Sequence, residues 1–201
     1  MYLPKAMAIV QIPPMNFIAI KGKGDPNEEN GEYQRCIPLL YAVAYTLKMS
    51  KNTDHRISGY FDYVVPPLEG LWWQEGIKGV DYLHKETFCF IAMIRLPDFI
   101  TQEDFQWAVL QAAKKKKMDF SQVEFITYDE GTCVQSMHIG SYDDEPKTVA
   151  LMHQYMKSQG YQLDMSDSRV HHEIYISDPR KTDSTQLKTV IRHPIKKISS
   201  T

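Results

Sequence analysis

The sequence predicts an α+β protein built from a duplicated strand–helix–strand–strand unit. Hydrophobic residues make up 43% of the 201 residues, which is enough for one sizeable core. Apolar residues recur every three or four positions in some segments, which predicts helices. Other segments end in Gly, Asp or Pro, and one of them is rich in aromatic and β-branched residues, so strands are expected as well. The order of these segments in the first half of the chain returns in the second half.

The first half is predicted to hold two helices among four strands. In the helix at 32–50 apolar residues recur every three or four positions, and Pro38 is expected in its first turn. The helix at 101–117 has Thr101 as its N-cap, and the four lysines at its end complement the helix dipole. These lysines could instead bind RNA, but no aromatic or Arg-rich patch adjoins them. The strands are expected at 16–26, 59–67, 87–97 and 123–131.

The second half repeats the order of the first. A strand at 133–146 ends in Gly, acid and Pro, as the strand at 16–26 does, and a helix at 147–160 closes with Gly160 as its C-cap. Two further strands are expected at 169–180 and 187–196. We therefore interpret 1–201 as a single domain of two pseudo-repeats, at about 16–131 and 132–196.

This duplication predicts antiparallel sheets with helices on one side and a central ligand cleft. The two small sheets would lie side by side, and the groove between them is a usual place for a ligand.

The aromatic stretch GYFDYVVPPLEGLWW raises the question of whether it forms core or one wall of that cleft. Aligning FDYVVPP with EIYISDP sets Tyr63 opposite Tyr175 and Phe61 opposite Glu173. Because alternate residues of a strand share a face, these four residues are expected to converge on the cleft. The two tyrosines could equally be core residues with one satisfied hydroxyl.

Three residues at the end of this stretch are further candidates. Trp72 and Trp73 are adjacent, so both cannot enter one core if the segment is extended. One of them is expected at the cleft or its rim. Glu69 could cap a turn, which we favour, or could supply a second carboxylate.

The segments GYFDYVVPPLEGLWW, HIGSYDDEP and HHEIYISDP carry a resemblance to a known family. They resemble the GyrI-like small-molecule-binding domain, in its stand-alone bacterial branch, over roughly Asn16 to Lys196. This domain of two SHS2-like halves is also the effector-binding part of multidrug-responsive transcription activators. The resemblance implies an aromatic pocket with a glutamate at its floor, and Glu173 matches that glutamate. Phe61, Tyr63, Trp72, Trp73 and Tyr175 would line the pocket around it.

The resemblance also implies ligands that are flat, hydrophobic and often cationic. Some stand-alone members hydrolyse the cyclopropane of cyclopropanoid DNA-alkylating compounds, which would confer xenobiotic resistance. In that role Glu173 would activate water and Tyr63 would polarise a conjugated carbonyl. Two alternatives stay open: a non-catalytic protein that sequesters such compounds, and a regulatory module that senses an effector or acts on another protein.

Composition argues against several other classes. The net charge is −2, and only about 15 residues precede the first predicted strand, too few for a helix-turn-helix, so no nucleic-acid partner is expected. No apolar run approaches the ~20 residues of a membrane span, so no membrane partner is expected. Signal-peptide features are missing, so we expect a cytoplasmic protein. We expect it to be a monomer or a homodimer.

Neither a metal nor a cofactor is expected. The three cysteines are far apart and odd in number, which disfavours a disulfide framework or a zinc knuckle. His171 and His172 are adjacent, so in a strand they face opposite sides and cannot chelate one metal together. No phosphate-binding or dinucleotide-binding motif occurs.

Overall fold

The computed structural model of the chain describes residues 4, 6–77 and 83–198, and within them it contains a large antiparallel sheet and three α-helices. The α+β class predicted from the sequence is thus confirmed. The helices are α1 (Glu32–Lys48), α2 (Gln102–Lys116) and α3 (Glu145–Ser158). The strands are β1 (Ala8–Ile12), β2 (Met15–Lys23), β3 (Leu68–Trp73), β4 (Cys89–Arg95), β5 (Glu124–Tyr128), β6 (Gly131–Ile139), β7 (Tyr161–Leu163), β8 (His171–Tyr175) and β9 (Lys188–Lys197).

The strand order shows the duplication directly. It runs β1-β6-β9-β8-β3-β4-β2-β5, with neighbours antiparallel and the short β7 paired to the end of β9. On one side of the centre lie β8, β9 and β6, and on the other lie β3, β4 and β2 in matching order. Strand β3, the first after α1, and strand β8, which follows α3 and the short β7, therefore pair at the middle of the sheet. The division of the chain near residue 131 remains a prediction, and residues 1–3 and 199–201 of the predicted domain lie outside the described part.

Three hydrophobic clusters hold the layers together. The largest lies between the sheet and helices α1 and α2, and a second lies between α3 and strands β6 and β9. The third cluster is on the opposite face and contains no helix. It joins Val10 of β1 to Ile126 of β5, although these strands stand at opposite ends of the strand order, so the sheet curves over this face.

The prediction of a strand at 59–67 is wrong. Residues 61–67 form no strand, and β3 begins only at Leu68. The reason is Pro66 and Pro67, which lack the N–H groups that a ladder needs. We interpreted the two prolines as the end of a strand, whereas they directly precede one.

Helix boundaries also differ in detail from the predictions. Pro38 is the seventh residue of α1 and not part of its first turn. Because proline has no N–H, the carbonyl of Gln34 lacks its usual helical hydrogen-bond donor. Both residues are exposed, so water can take the place of that donor. Thr101 forms the predicted N-cap of α2 with a full capping box to Asp104. Helix α3 begins at Glu145, two residues before the predicted start. Among the described residues, no helix has the length and apolar character needed to cross a membrane.

Candidate ligand-binding site

A wide cleft opens on the helix side of the central strand pair. Helix α1 packs mainly on β2 and β4 and helix α3 packs on β6, so β3 and β8 are left without a helix above them. The cleft has a volume of about 1950 Å³. Its walls are strongly aromatic, and aromatic faces suit flat apolar molecules. The aromatic residues that line it include Tyr33, Tyr41, Trp72, Phe88, Tyr142 and Tyr175.

The floor of the cleft depends on a glycine in β3. Gly70 lies opposite Glu173 in the β3–β8 register. A Cβ atom at this position would lie 2.9 Å from the Tyr175 hydroxyl and closer still to the indole of Trp72. Glycine thus leaves room for the 2.9 Å hydrogen bond in which Trp72 Nε1 donates to the Tyr175 hydroxyl.

Two carboxylates meet at this floor. Glu173 is 9% exposed, and its Oε1 lies 2.8 Å from Nε2 of His171. Glu145, the first residue of α3, is fully buried beside it and finds no hydrogen-bond donor for either oxygen among the described residues. Glu173 is therefore the carboxylate that a ligand can reach, and Glu145 lies behind it.

The environment of Glu145 favours its protonated form. Burial raises its pKa well above the ordinary value, and the negative charge of Glu173 raises it further. Glu145 has no donor to accept from when ionised, but as an acid it can donate to Glu173. The two carboxyl groups then share one proton, as like charges in close contact do.

Tyrosine hydroxyls surround Glu173 and stay protonated at neutral pH. Burial, and then the charge of Glu173, raise the pKa of Tyr175 well above its usual range. Burial likewise raises the pKa of Tyr33, whose hydroxyl interacts with that of Tyr175. Burial and Glu173 raise the pKa of Tyr142 to about 12. These groups can therefore donate hydrogen bonds to a ligand or to the carboxylate.

A row of three histidines leads away from Glu173. Nδ1 of His171 lies 2.7 Å from Nε2 of His193, and Nδ1 of His193 lies 2.9 Å from Nε2 of His153. The row passes from β8 through β9 to α3, where His153 is half-buried. Burial lowers the pKa of His193 well below its ordinary value, and both neighbouring imidazoles add to this effect.

One group of side chains at the floor meets the spacing that a metal ion requires. A ligand atom from each of Glu145, His171 and Glu173 lies within 4.8 Å of the other two. The 2.8 Å contact between His171 and Glu173 is itself of hydrogen-bond length. The three side chains therefore form one compact group in which His171 and Glu173 are hydrogen-bonded and Glu145 has no hydrogen-bond donor in the described part of the chain.

The structure brings some predicted site residues to the cleft and leaves others away from it. Glu173, Tyr175 and Trp72 line the cleft. Phe61 is 61% exposed in a loop and packs on Phe99, and Tyr63 packs on Tyr60 and Phe99; neither lines the cleft. The alignment that set Phe61 and Tyr63 opposite Glu173 and Tyr175 is wrong, because 59–67 is not a strand. The strand equivalent to β8 is β3, which brings Gly70 next to Glu173.

Trp73 and Glu69 point away from the cleft, on the other face of β3. Trp73 joins the third hydrophobic cluster, and Lys21 lies 5.6 Å over its ring. Glu69 is buried and bonded to His172. It neither caps a turn, as we favoured, nor serves as a second cleft carboxylate.

The second carboxylate of the cleft was missed from the sequence. Glu145 follows two other acids in SYDDEP, and only its burial distinguishes it from them. The sole signal was its position before Pro146 at a helix start. Tyr33 and Tyr142 were also missed, because each belongs to an element that meets β8 only in the folded chain.

A deep aromatic cleft with a reachable carboxylate, on a duplicated α+β fold, defines a small-molecule-binding protein. A family model for the GyrI-like small-molecule-binding domain matches residues 5–196. The chain therefore belongs to the GyrI-like family, as its sequence motifs suggested.

Solved structures agree with this assignment. An uncharacterized conserved protein from Listeria innocua is 45% identical, with a TM-score of 0.88 over 96% of this chain and 93% of its own. A hydrolase from Listeria innocua is 43% identical, with a TM-score of 0.87 over 97% and 94%. The C-terminal domain of EcmrR shares the fold at 15% identity, with a TM-score of 0.61 over 96% and 98%. No curated protein matches the chain.

Proposed function

We propose that this protein binds flat hydrophobic xenobiotics in the aromatic cleft and hydrolyses electrophilic ones, with Glu173 as the general base. The observation that carries the proposal is the position of Glu173. Its carboxylate is held by His171 at 2.8 Å, is almost enclosed by aromatic residues and is still reachable from the cleft. The Listeria innocua protein named as a hydrolase, 43% identical over nearly the whole chain, supports an enzymatic role.

A cyclopropane conjugated to a carbonyl is the substrate class that we propose. The rings of Trp72 and Tyr142 would hold such a flat molecule against the floor. Glu173 would accept a proton from water while the water oxygen attacks a ring carbon. The carbon–carbon bond breaks, and its electron pair moves to the carbonyl oxygen, which takes a proton. Water is thus added across the ring, and no other reactant is consumed.

The proton donor to the carbonyl oxygen must lie at the cleft. Tyr63, the donor expected from the sequence, does not line it. The hydroxyls of Tyr33 and Tyr142 border this space and stay protonated at neutral pH. We assign the donor role to these hydroxyls. The proton that Glu173 receives is then balanced by the proton that a tyrosine hydroxyl gives up.

Sequestration of cationic drugs is the second candidate. A buried carboxylate pair surrounded by aromatic rings attracts organic cations through charge and through cation–π contacts. Binding alone would then protect the cell, and no turnover is needed.

Several further points belong to the proposal. We place the protein in the cytoplasm, because Cys36, Cys89 and Cys133 are unpaired and buried. We propose that it acts on small molecules without a nucleic-acid partner, as a monomer or homodimer.

The decisive experiment is incubation with a cyclopropanoid alkylator and mass spectrometry of the product, in buffer with EDTA. We expect the wild type to add one water, and Glu173→Gln to lower turnover by roughly 10²-fold or more, the usual worth of a positioned general base. Glu124→Gln, at an exposed strand position of the same sheet, is the matched control and should behave as wild type.

Other outcomes point elsewhere. Unchanged alkylator bound to the wild type would support sequestration, and Glu173→Gln should then weaken cationic ligands by ~1–3 kcal/mol and spare neutral ones. Wild-type turnover and affinity in Glu173→Gln would show that Glu173 is a bystander and that the proposal is wrong.

A further inference from the structure

The carboxylate pair on the cleft floor has a surplus of negative charge that the protein does not neutralise. Glu145 is fully buried, and neither of its oxygens has a donor among the described residues. His171 lies 2.8 Å from Glu173 and 3.9 Å from Glu145, whereas Lys85, which also lines the cleft, is paired with Asp143 at 2.7 Å. A second negative charge on this floor therefore needs a cation from outside, and without one a proton must take its place.

The histidine row provides a path for that proton. A neutral imidazole has one N–H donor and one acceptor nitrogen, so three rings in line have two consistent arrangements. With every proton on Nδ1, the row donates outward to His153 and accepts from a protonated Glu173. With every proton on Nε2, it donates inward to an ionised Glu173. The distances of 2.8, 2.7 and 2.9 Å fit both arrangements.

We propose that an organic cation enters this cleft in exchange for a proton of the Glu145–Glu173 pair, and that His171, His193 and His153 carry this proton to the surface of α3. The proposal rests on the proposed function only in requiring that the cleft binds flat cations. The proton moves from Glu173 to Nε2 of His171. One proton then crosses each of the next two contacts, and His153 releases one from Nδ1 to water.

The path is useful because the ligand itself blocks the other route. A flat apolar molecule over Glu173 excludes water from the cleft mouth, so the proton cannot leave that way. The three histidines of the row do not line the cleft, and the row ends at half-buried His153. His193 in the middle stays neutral, since burial lowers its pKa, so it passes a proton on without trapping it.

The surroundings of the row support this direction. Burial lowers the pKa of His153, and the positive charge of Lys157 on the same helix lowers it further. At the inner end, the pair faces the hydroxyls of Tyr33, Tyr142 and Tyr175, which stay protonated. Asp143, next to α3, adds a small further rise to the pKa of Glu145. The carboxyl pair, and not a tyrosine hydroxyl, thus supplies the proton that is exchanged.

The test compares a planar cation, ethidium, with a neutral planar molecule, pyrene. Calorimetry in buffers of different ionisation enthalpy counts the protons released on binding. We expect release of about one proton with ethidium and none with pyrene, and an ethidium affinity that rises by up to about tenfold per pH unit where the pair is protonated. Glu145→Gln removes the second acidic group, so it should bind ethidium without release and without this pH dependence.

The row is tested separately through kinetics. His153→Gln interrupts the outer end at a half-buried position, and stopped-flow with a pH indicator follows proton release. We expect His153→Gln to release the same number of protons as the wild type, but at least roughly tenfold more slowly, because a proton-transfer group has been lost. Added imidazole should restore the release rate. His138→Gln, at a buried histidine bonded only to Thr148 and Ser141, is the control and should be unchanged. Wild-type release rates in His153→Gln would refute the row as the path.

The outcomes separate this inference from the proposed function. Ethidium binding without proton release, or with equal affinity at pH 6 and pH 8, overturns the exchange and leaves the binding function intact. Binding of pyrene without binding of ethidium would also overturn the exchange and leave the binding function intact. If neither molecule binds, both the exchange and the proposed function fail.

Discussion

The two adjacent histidines of β8 lie in opposite environments. His171 lies on the cleft side of the sheet, where two carboxylates, Glu145 and Glu173, are its close neighbours. His172 faces the curved side of the sheet, where its ring nitrogens contact Glu130 at 2.8 Å and Glu69 at 2.9 Å. There Arg192 adds a second cation, 2.9 Å from Glu130. We call the His172, Glu69, Glu130 and Arg192 side chains the structural cluster.

The two sides of β8 differ in how their buried charges are balanced. In the structural cluster two acids face two bases, and each side chain has at least one partner. The charges of this group balance, so it needs no charged ligand, although Oε1 of Glu69 and one terminal nitrogen of Arg192 have no hydrogen-bond partner among the described residues. On the cleft side one carboxylate is left over, and space for a molecule lies directly above it. Burial alone does not distinguish the two sites; the balance of charge and access to the cleft do.

The pKa values reflect the same contrast. Burial by itself lowers the pKa of His172, but Glu130 and Glu69 outweigh it and raise the pKa to about 9. Burial acts to raise the pKa of Glu130, but His172 and Arg192 outweigh it and lower the pKa. Both groups are therefore held charged at neutral pH, whereas Glu145 is held protonated.

The largest effect is expected from opening the structural cluster. Arg192→Met removes one cation and leaves Glu130 buried without full compensation, which should cost roughly 3–5 kcal/mol of unfolding free energy. Glu145→Gln, at a fully buried acidic residue, removes the surplus carboxyl group and should leave the unfolding free energy unchanged or raise it by ~1 kcal/mol. Urea denaturation at pH 7 measures both. Similar losses in the two variants would contradict the distinction between the clusters.

A smaller effect is expected from pH. The folded-state pKa of His172 is raised from 6.5 to about 9, so its contribution is complete below pH 6.5 and is lost as pH rises through 9. This rise in the pKa of His172 corresponds to about 3 kcal/mol of unfolding free energy. Denaturation curves from pH 6 to pH 10 should show this loss in the wild type. In His172→Gln the same range should be flatter, and an equally steep loss there would assign it to other groups.

Much of the fold could be predicted from the sequence because it follows local rules. The apolar run of β4, the helical spacing in α1 and the Thr101 cap are each readable within one segment. The opposite orientation of His171 and His172 follows from strand geometry alone. The one serious error, at 59–67, arose because two prolines can precede a strand as well as end it.

The site was less predictable because it is assembled from distant elements. Glu173 and Tyr175 were found through the family resemblance. Glu145 becomes a site residue only when α3 docks on the sheet, and no local pattern separates it from exposed Asp144. The charge balance that distinguishes the two sides of β8 likewise depends on Glu69 and Glu130, which are far from β8 in sequence.

The smallest effect is expected at Tyr63, and it tests where the cleft ends. The Tyr63 hydroxyl is buried and has no hydrogen-bond partner among the described residues, and its ring packs on Tyr60 and Phe99. Removing an unsatisfied buried hydroxyl costs no hydrogen bond, so Tyr63→Phe should keep stability or raise it by up to ~1 kcal/mol. Since the residue does not line the cleft, turnover and ethidium affinity should match the wild type.

Tyr33→Phe is the matched comparison for that result. The hydroxyl of Tyr33 interacts with Tyr175 at the cleft floor, so its loss should weaken binding by roughly 0.5–1.5 kcal/mol. A fall in turnover for Tyr63→Phe, with Tyr33→Phe unaffected, would show that the catalytic hydroxyl lies in the 59–67 loop. The substrate would then extend beyond the central strand pair toward Phe99, and the donor role would return to Tyr63.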